Sequence, residues 1–480
     1  MVVDAEEKIE TTQSSSMQIQ ANDASAGVSV KGKGNILGIS MIAALAGFIF
    51  GFDTVVISGA NLPIKELWHT SPWFHGFFIM SMALWGTVAG AVFGGIPTQT
   101  YGRKKVLFWI GILFSVSAIG SALAQDPYTF SFFRFIGGLG IGVSSVAAPT
   151  YVSEISTPAT RGRLVAMYQF NIVLGILIAF ISNYLLEGVG GDNDWRWMLG
   201  IMAAPSLLYT ALVISIPESP RWLIANRNDE TAAKAVMERL GIANPDEVIR
   251  SVRDSVKHET AAGHSSGFFS SKYNRIIWLA FLVAFFNQWS GINFILYYAP
   301  EILERAGLAA KESLFNSIAI GGTNLVFTFV GLYLIDRAGR KTLLILGSIG
   351  YILSLSLVAW SFYSHAGAGF LLVFLLLFIA SHAIGQGAVI WVFISEIFPN
   401  KVRAMGQSFG ASTHWVFAAL ITLITPVFLD ENDGIFKDNP WPIFAFFAFM
   451  MFLQLVWVLT KVPETKGVSL EDLEKRLVKE

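Results

Sequence analysis

The sequence predicts an all-α membrane protein in which twelve transmembrane helices form two six-helix bundles, with a cytoplasmic helical insert between the halves. Three observations lead to this prediction. The chain of 480 residues is 54% hydrophobic and only 14% charged, and its mean hydropathy is +0.57, which excludes an ordinary soluble globule. Twelve apolar runs approach the length of about 20 residues that a helix needs to cross the hydrocarbon. Polar motifs between these runs repeat in the same order, which divides the chain into two similar halves.

The twelve spans follow a polar amino-terminal segment. Residues 1–34, which begin MVVDAEEKIETTQSSS, contain no apolar stretch typical of a signal peptide, so we expect a disordered cytoplasmic tail there. Placed to within about four residues, the predicted spans start at Ile36, Trp73, Lys105, Tyr128, Leu164, Trp195, Arg275, Ser313, Thr342, Gly369, Ala404 and Trp441.

These spans define the remaining regions. We expect the amino-terminal bundle over 35–216 and the carboxy-terminal bundle over 275–463. Residues 217–274 are polar, and helical patterning in ETAAKAVMERLG and DEVIRSVRDSVKHE predicts a cytoplasmic linker with short helices. Residues 464–480 are expected to form a cytoplasmic carboxy-terminal tail.

The basic residues predict the orientation. When the spans are threaded with the amino terminus inside, most of the 33 Lys and Arg residues fall on the inner side, and Arg134 falls within a span. The exceptions on the outer side are Lys65, Arg196, Arg305, Lys311 and Lys437. Because positive charge concentrates in cytoplasmic loops, we expect a multi-pass protein of the cell membrane with both termini and the linker in the cytoplasm.

Several function classes are excluded by composition. The chain has no cysteine, which removes disulfides, thiolate metal sites and thiol catalysis. No metal-ligand cluster, Ser-His-Asp set or phosphate-binding loop is visible, so we expect neither an enzyme nor a cofactor. GLGIGV, near Gly138, is only superficially like a dinucleotide motif, because it lies inside a span and suits close helix packing.

Three cytoplasmic motifs occur twice. GGIPTQTYGRKK matches GLYLIDRAGRK, YVSEISTPATRGR matches FISEIFPNKVR, and PESPRW matches PETKG. Halves of like topology are related by an axis along the membrane normal, and a cleft lies between them near mid-membrane. We interpret the charged motif residues as a structured ion network that latches the halves in the outward-facing state, with a solvated basic fringe as the alternative. Its members are Arg103, Glu154, Arg161, Glu218, Asp336, Arg340, Glu396, Arg403 and Glu464.

Two ionisable residues are predicted deep in the hydrocarbon. Asp53 lies in FGFDTVVISG and Arg134 in the fourth span. A charge at mid-membrane costs from about 2.5 kcal/mol upward and persists where it faces a cavity or a partner. Burial favours a neutral acid and a nearby arginine favours a charged one, so the balance shifts when hydration changes. We interpret Asp53 and Arg134 as a proton-coupling pair, with a permanent structural bridge as the alternative.

Several motifs together resemble one family. GFDTVVISG, YGRKK, DRAGRK, RFIGGLGIG, PESPRW, NQWSGINFILYY and PETKG, which extend from Ile36 to Gly467, are similar to those of the sugar porter family of the major facilitator superfamily. The resemblance is closest in kind to bacterial proton-coupled xylose and hexose symporters. It implies the major facilitator fold, a monosaccharide bound between the bundles, and movement by alternating access without covalent chemistry.

The resemblance also implies the binding residues. Carried over position by position, the sugar contacts are Gln169, Gln288, Asn293, Asn324, Trp391 and Trp415, with Asn287 and His414 beside them. Tyr297 and Tyr298 stand where the family places an outer gate. Amides offer both donors and acceptors to sugar hydroxyls without charge, and Gly291 is expected to break the seventh helix so that Gln288 and Asn293 converge. The alternatives are amides that join helices by hydrogen bonds and tryptophans that only pack.

Several positions depart from the family pattern. Asn287 replaces the first of two glutamines on the seventh helix, Ile176 replaces a second glutamine on the fifth, and His414 replaces an amide on the eleventh. Gln99 and Thr100 replace Asp-Arg in the first motif, which predicts a weaker amino-terminal latch. A proton relay through His414 is an alternative to its role as a polar binding residue.

The function expected from the resemblance is import of a hexose or pentose in symport with a proton. A proton-independent uniporter is the first alternative, because facilitative carriers commonly have Asn where Asp53 stands. A non-transporting sugar sensor is the second, and the short segment VSLEDLEKRLVKE after PETKG argues against it. We expect the sugar, the proton and the lipid bilayer to be the partners, no nucleic acid, and a monomer.

Overall fold

The computed structural model describes residues 33–261, 268–399, 402–468 and 470–478. The expected amino-terminal tail therefore lies outside the described residues, apart from Lys33 and Gly34, which begin the first helix. Part of the predicted linker, 262–267, also lies outside them. Within the described residues the secondary structure is entirely helical.

Eleven helices are long and apolar enough to cross a membrane, and a bent pair supplies a twelfth in the described part of the chain. The predicted all-α fold is confirmed. We number these helices in chain order: α1 Lys33–Trp68, α2 Pro72–Met80 with Met82–Phe93, α3 Arg103–Leu123, α4 Pro127–Ile155, α5 Pro158–Leu186, α6 Gly191–Ser215, α7 Ser271–Tyr297, α8 Ala310–Ala338, α9 Arg340–Tyr363, α10 Ala368–Ile397, α11 Arg403–Leu429 and α12 Trp441–Lys461.

Several of these helices are interrupted, among them α2, α7 and α10. The two parts of α2 meet at 44°, after a π-helical turn over His75–Met80. Gly291, with φ of +86°, separates two parts of α7, and a short helix, Ala299–Arg305, follows. Gly385 interrupts α10. Such breaks are tolerated at membrane depth where neighbouring groups satisfy the freed backbone.

The linker and the carboxy-terminal segment add short helices. The linker contains Pro220–Arg227, Glu230–Arg239 and Pro245–Ala261, and Ile224, Ala233, Met237 and Ile249 form its small apolar core. The helix Leu470–Leu477 buries Leu473 and Leu477 in the core of the carboxy-terminal half. These elements lie at the end of the molecule that also carries the repeated motifs, which we call the terminal end.

Glycines bring α2 and α4 into backbone contact. A Cβ at Gly138 would collide with the carbonyl oxygen of Ala83, and one at Gly142 with that of Thr87. Small residues allow this approach, and van der Waals packing holds helices together in lipid. GLGIGV therefore serves helix packing, as the sequence predicts.

The two halves touch at the opposite end, which we call the far end. A Cβ at Gly76 of α2 would collide with the backbone of Leu423 of α11. Lys311, at the start of α8, pairs with Glu187, at the end of α5, at 2.9 Å. The far end is thus closed in this conformation.

Candidate functional site

The break in α7 places polar groups in the middle of the bundle. Gln288 and Asn293 stand on either side of Gly291 and are both buried. Nε2 of Gln288 lies 3.0 Å from Nε2 of His414 on α11 and 3.2 Å from Oδ1 of Asn287. The break that the sequence predicts at Gly291 is present.

Aromatic rings border this amide group. The His414 ring lies 5.0 Å from that of Trp391 on α10 and 4.8 Å from that of Trp415, which it meets edge-on. Trp415 also contacts Phe50 of α1 at 5.6 Å between ring centroids. Trp415 is buried, whereas Trp391 is 38% exposed. Carbohydrates suit such a combination, because their hydroxyls bond amides and their C–H faces stack on rings.

Two polar atoms in this region lack a partner. Oε1 of Gln288 and Nδ2 of Asn293 are buried without a hydrogen bond among the described residues. An unsatisfied buried polar group costs about 1–3 kcal/mol. One acceptor and one donor are therefore available to a ligand that carries hydroxyls.

The remaining amides expected to contact the sugar, Asn324 and Gln169, lie apart from this group. Asn324 of α8 is buried and Gln169 of α5 is half-buried. Neither forms a hydrogen bond within the described ranges, so the structure does not join them to Gln288. Helices α5 and α8 are in contact, for example through Phe170 and Phe329, whose ring centroids are 5.4 Å apart.

Asp53 and Arg134 form a buried ion pair between α1 and α4. Nη1 of Arg134 donates to Oδ1 of Asp53 at 2.5 Å, and the side chains are 2% and 0% exposed. Oδ2 of Asp53 and Nε of Arg134 have no partner among the described residues. Only one of the two carboxylate oxygens of Asp53 is therefore engaged by Arg134.

The two expected gate tyrosines lie fully inside the molecule. The Tyr298 hydroxyl donates to the carbonyl oxygen of Thr422 on α11 at 2.9 Å. Tyr297 lies within electrostatic range of both Asp53 and Arg134. The segment after the α7 break is thus bonded to α11 of its own half and lies within electrostatic range of the ion pair in the other half.

The motif residues of the amino-terminal half form one cluster at the terminal end. Arg103 reaches Glu154 through Nη2 at 2.8 Å and through Nε at 3.0 Å. Glu218 accepts from the backbone N–H of Arg103 at 2.9 Å and of Lys104 at 3.0 Å. Ser219 donates its hydroxyl to Glu154 at 2.5 Å.

The carboxy-terminal half repeats this arrangement. Arg340 reaches Glu396 at 2.8 and 3.1 Å, Glu464 accepts from the backbone N–H of Arg340 and Lys341 at 2.9 and 3.0 Å, and Thr465 donates to Glu396 at 2.6 Å. Burial opposes ionisation of Glu464, but the N–H groups of Lys466, Arg340, Lys341 and Thr465 outweigh it and hold its pKa below the usual value.

One difference between the clusters follows the sequence. Asp336 lies 3.2 Å from Arg340. Gln99 occupies the corresponding position of the amino-terminal half, where its backbone carbonyl oxygen accepts from the Trp222 indole at 2.6 Å. The carboxy-terminal cluster therefore has one more acidic group around its arginine.

The ion network lies within each half in this conformation. Arg161 donates to the carbonyl oxygen of Ser153 and Arg403 to that of Phe398, both at 3.2 Å and both within one half. The ion pairs Arg103–Glu154 and Arg340–Glu396 also stay within one half each. These motif residues therefore do not form, in this conformation, the latch between the halves that the sequence suggests for the outward-facing state.

Sequence reasoning missed several buried polar residues. Gln386, Gln454 and Ser348 form a hydrogen-bonded chain inside the carboxy-terminal half. His382 bonds the Tyr351 hydroxyl at 2.6 Å, and a further polar group, described below, joins the halves at the far end. Each of these residues is visible in the sequence as a polar residue inside an apolar run, but the run does not show which residue it bonds.

No group of acidic or histidine side chains in the described part of the chain has the arrangement of a metal site.

Comparison with known proteins identifies similar chains. A model of the family described as "Sugar (and other) transporter" matches residues 39–477. The arabinose-proton symporter of Bacillus subtilis is 34% identical over 93% of this chain and 96% of its own length. The D-xylose-proton symporter of Escherichia coli is 30% identical over 92% and 95%, and the galactose-proton symporter of that species 34% identical over 92% and 94%.

Solved structures give the same result. The xylose transporter of E. coli in an inward-open conformation superposes with a TM-score of 0.80 at 28% identity, covering 92% of this chain and all of that one. The proton:xylose symporter bound to 6-bromo-6-deoxy-D-glucose gives 0.75 at 29% identity, covering 92% and 99%. The higher score belongs to the inward-open structure.

Proposed function

This chain belongs to the sugar (and other) transporter family, and we propose that it imports a monosaccharide in symport with a proton by alternating access. The family match extends over nearly the whole chain, and similar chains carry the names of arabinose-, xylose- and galactose-proton symporters. The multi-pass helical fold fits a protein of the plasma membrane. Members of this family are transporters, not enzymes.

The observation that carries the proposal is the unpartnered pair of polar atoms beside the α7 break. Oε1 of Gln288 accepts and Nδ2 of Asn293 donates, as a sugar hydroxyl requires. We propose that Asn287, Asn324, Gln169 and His414 complete the polar contacts, and that Trp391 and Trp415 provide the stacking surfaces. Pentoses and hexoses both fit this description, and the substrate class is a monosaccharide.

Proton coupling is assigned to Asp53. When its free oxygen is protonated, the ion pair with Arg134 weakens, because the charge that Arg134 neutralises is removed. Tyr297, which follows the α7 break, lies within electrostatic range of both charges, so we propose that a change in their balance acts on this segment. The two access states thereby differ in proton affinity, which is the minimum requirement for coupling.

The orientation follows from the basic residues. We propose that the terminal end faces the cytoplasm, with both termini and the linker there, and that the far end faces outward. Tyr297 and Tyr298 then form the outer gate, and the conformation described here is inward-facing. We further propose that the five regions predicted from the sequence are the functional divisions of the chain and that it works as a monomer.

A transport assay tests the sugar and the coupling together. Uptake of labelled pentoses and hexoses is measured in a host that lacks its own sugar transport, with and without a protonophore. We expect accumulation of at least one sugar that the protonophore abolishes. Protonophore-resistant uptake that only equilibrates the sugar would instead support a uniporter, and protonophore-resistant accumulation would support another energy source.

Asp53→Asn isolates the coupling step. We expect the variant to retain sugar binding and exchange but to lose accumulation in vesicles with an imposed pH gradient, because the amide takes up no proton. Glu187→Gln, which removes an acid from an exposed ion pair, is the matched control and should accumulate sugar normally. Unimpaired accumulation by Asp53→Asn would contradict the assignment.

A further inference from the structure

A chain of four polar residues, three of them buried, joins the two halves at the far end. Thr70 bonds Nδ1 of His75 at 2.8 Å, Nε2 of His75 bonds Oδ1 of Asn61 at 2.8 Å, and Nδ2 of Asn61 donates to Oε2 of Glu301 at 2.6 Å. Since the Asn61 amide oxygen only accepts, Nε2 of His75 carries the hydrogen and Nδ1 accepts from Thr70. The network is satisfied with His75 neutral.

The last link of this chain crosses between the halves and therefore depends on the far end being closed. Asn61 belongs to α1 and His75 to α2, whereas Glu301 belongs to the short helix after α7 in the other half. Beside it, Lys65 of α1 forms an ion pair with Asp430, which follows α11. Separating the halves at this end breaks both contacts and exposes Glu301, now 7% exposed, to water.

The surroundings of Glu301 supply little net compensation for a buried negative charge. Lys65 is already paired with Asp430, Arg305 lies on the same short helix, and Lys311 and Glu312 at the start of α8 are exposed. Burial, opposed by Lys65, Asn61 and Arg305 and reinforced by Asp430, raises the pKa of Glu301 to about 7.

Glu304, on the same helix, is also affected. Burial and the nearby Glu431 and Glu66 raise its pKa to about 7, but it makes no hydrogen bond to the other half within the described residues. Glu304 is therefore not part of the contact between the halves, but its own titration requires a control variant.

We propose that Glu301, held by Asn61, is a second proton-binding site, which takes up a proton when the extracellular face closes over it and returns that proton to the outside when the face opens. Because uptake and release occur on the same side, this site does not change the number of protons moved per sugar. It makes closure pH-dependent. The inference depends on the proposed alternating access but not on the sugar or on coupling at Asp53.

The direction of the pH effect follows from linkage. Glu301 binds a proton more tightly in the closed state, so closure becomes more favourable as pH falls from about 7 towards the ordinary glutamate value near 4.5. Above about pH 7 the carboxylate stays ionised in both states and this contribution to closure is absent. Between pH 8 and pH 5 the closing equilibrium constant should rise by at least about tenfold.

The absence of cysteine allows the test to be made directly on the full chain. Spin labels are attached to cysteines introduced at Val189 and Asp438, exposed positions at the far end of the two halves, and the distance distribution is measured by pulsed electron resonance in lipid nanodiscs from pH 8 to pH 5. All samples carry Asp53→Asn, so the acid to which proton coupling is assigned is absent.

In this background we expect the short-distance, closed population to grow as pH falls. Adding Glu301→Gln, which can still accept from Asn61, should remove most of that growth and hold the closed population near its low-pH level. Glu187→Gln, which removes an exposed bridge between the halves at the same end, should leave the pH dependence unchanged, and Glu304→Gln should leave most of it.

A second variant distinguishes proton binding from a structural role. Asn61→Ala removes a donor that favours the charged carboxylate, so the midpoint of the transition should move to higher pH. A pH dependence that survives Glu301→Gln intact, one that rises in the opposite direction, or none at all would overturn the inference. Sugar-dependent distance changes, measured in the same samples, report on alternating access separately.

Discussion

Gln288 is assigned to sugar binding because its Oε1 atom is buried without a hydrogen bond among the described residues. We expect Gln288→Ala to raise the dissociation constant for the transported sugar about tenfold, because a hydrogen bond to a hydroxyl contributes on the order of 1 kcal/mol or somewhat more. Equilibrium binding to the purified protein measures this without the complication of transport.

Gln454 offers the matched control for that variant. It is also a buried amide in the carboxy-terminal half, but its oxygen accepts from Gln386 and its nitrogen donates to Ser348. Gln454→Met should lower the thermal stability and leave the sugar affinity unchanged. If both variants affect only stability, Gln288 is a helix-joining amide and not a sugar ligand.

The sequence allows two roles for His414, a polar contact to the sugar and a proton relay. Its contact with Gln288 and its position between Trp391 and Trp415 favour a binding role. We expect His414→Gln to change the sugar affinity while accumulation remains sensitive to a protonophore, since the coupling acid is intact. Loss of accumulation with normal sugar exchange would instead support the proton relay.

The residue scale also shows what a single sequence can supply. The Asp53–Arg134 pair was predicted because both charges interrupt apolar runs and each has few other partners at that depth. The contact of Gln288 with His414 was not predictable from spacing, because 126 residues separate them and their distance depends on how α7 and α11 cross.

At the scale of elements, the break in α7 determines where the site forms. Gly291 has a φ of +86°, and a Cβ there would approach the Phe447 ring. We expect Gly291→Ala to lower the stability by roughly 1–3 kcal/mol through backbone strain and to reduce sugar uptake, as measured by thermal unfolding in detergent and by transport.

Gly322 of α8 is the control for this substitution. It lies in a regular helix, and a Cβ there would meet no atom within 4 Å. Gly322→Ala should therefore leave both stability and uptake near those of the parent. Equal effects of the two substitutions would mean that the left-handed conformation at Gly291 is not what matters.

The element boundaries themselves were largely readable from the sequence. Runs of apolar residues end where charge, glycine or proline begins, because lipid admits only helices whose backbone is satisfied internally. The bend in α2 was not anticipated, since the π-helical turn over His75–Met80 depends on packing against α11.

At the scale of the whole molecule, the repeated motifs give two nearly identical clusters, one in each half. We expect Arg161→Ala and Arg403→Ala to reduce the outward-facing population, because these arginines are available to bond across the halves only when the terminal end closes. The label pair at Val189 and Asp438, read at constant pH, measures this.

Arg337 is the control for the arginine variants. It also lies at the terminal end, where its guanidinium rests 4.0 Å from the centre of the Tyr333 ring. Arg337→Ala should leave the distance distribution unchanged. If the distance distribution is unchanged in all three variants, Arg161 and Arg403 act only inside their own halves.

The sequence by itself determined the twelve spans, the division into similar halves, the embedded ion pair and the family. These are consequences of local composition, of charge placed beside apolar runs and of motifs that repeat in order. Only the tertiary structure decided which end is closed and that Asn61 meets Glu301, which lies 240 residues away. Contacts between the halves depend on how two rigid bundles are oriented, and that orientation is a property of the conformational state, which no local pattern in the chain encodes.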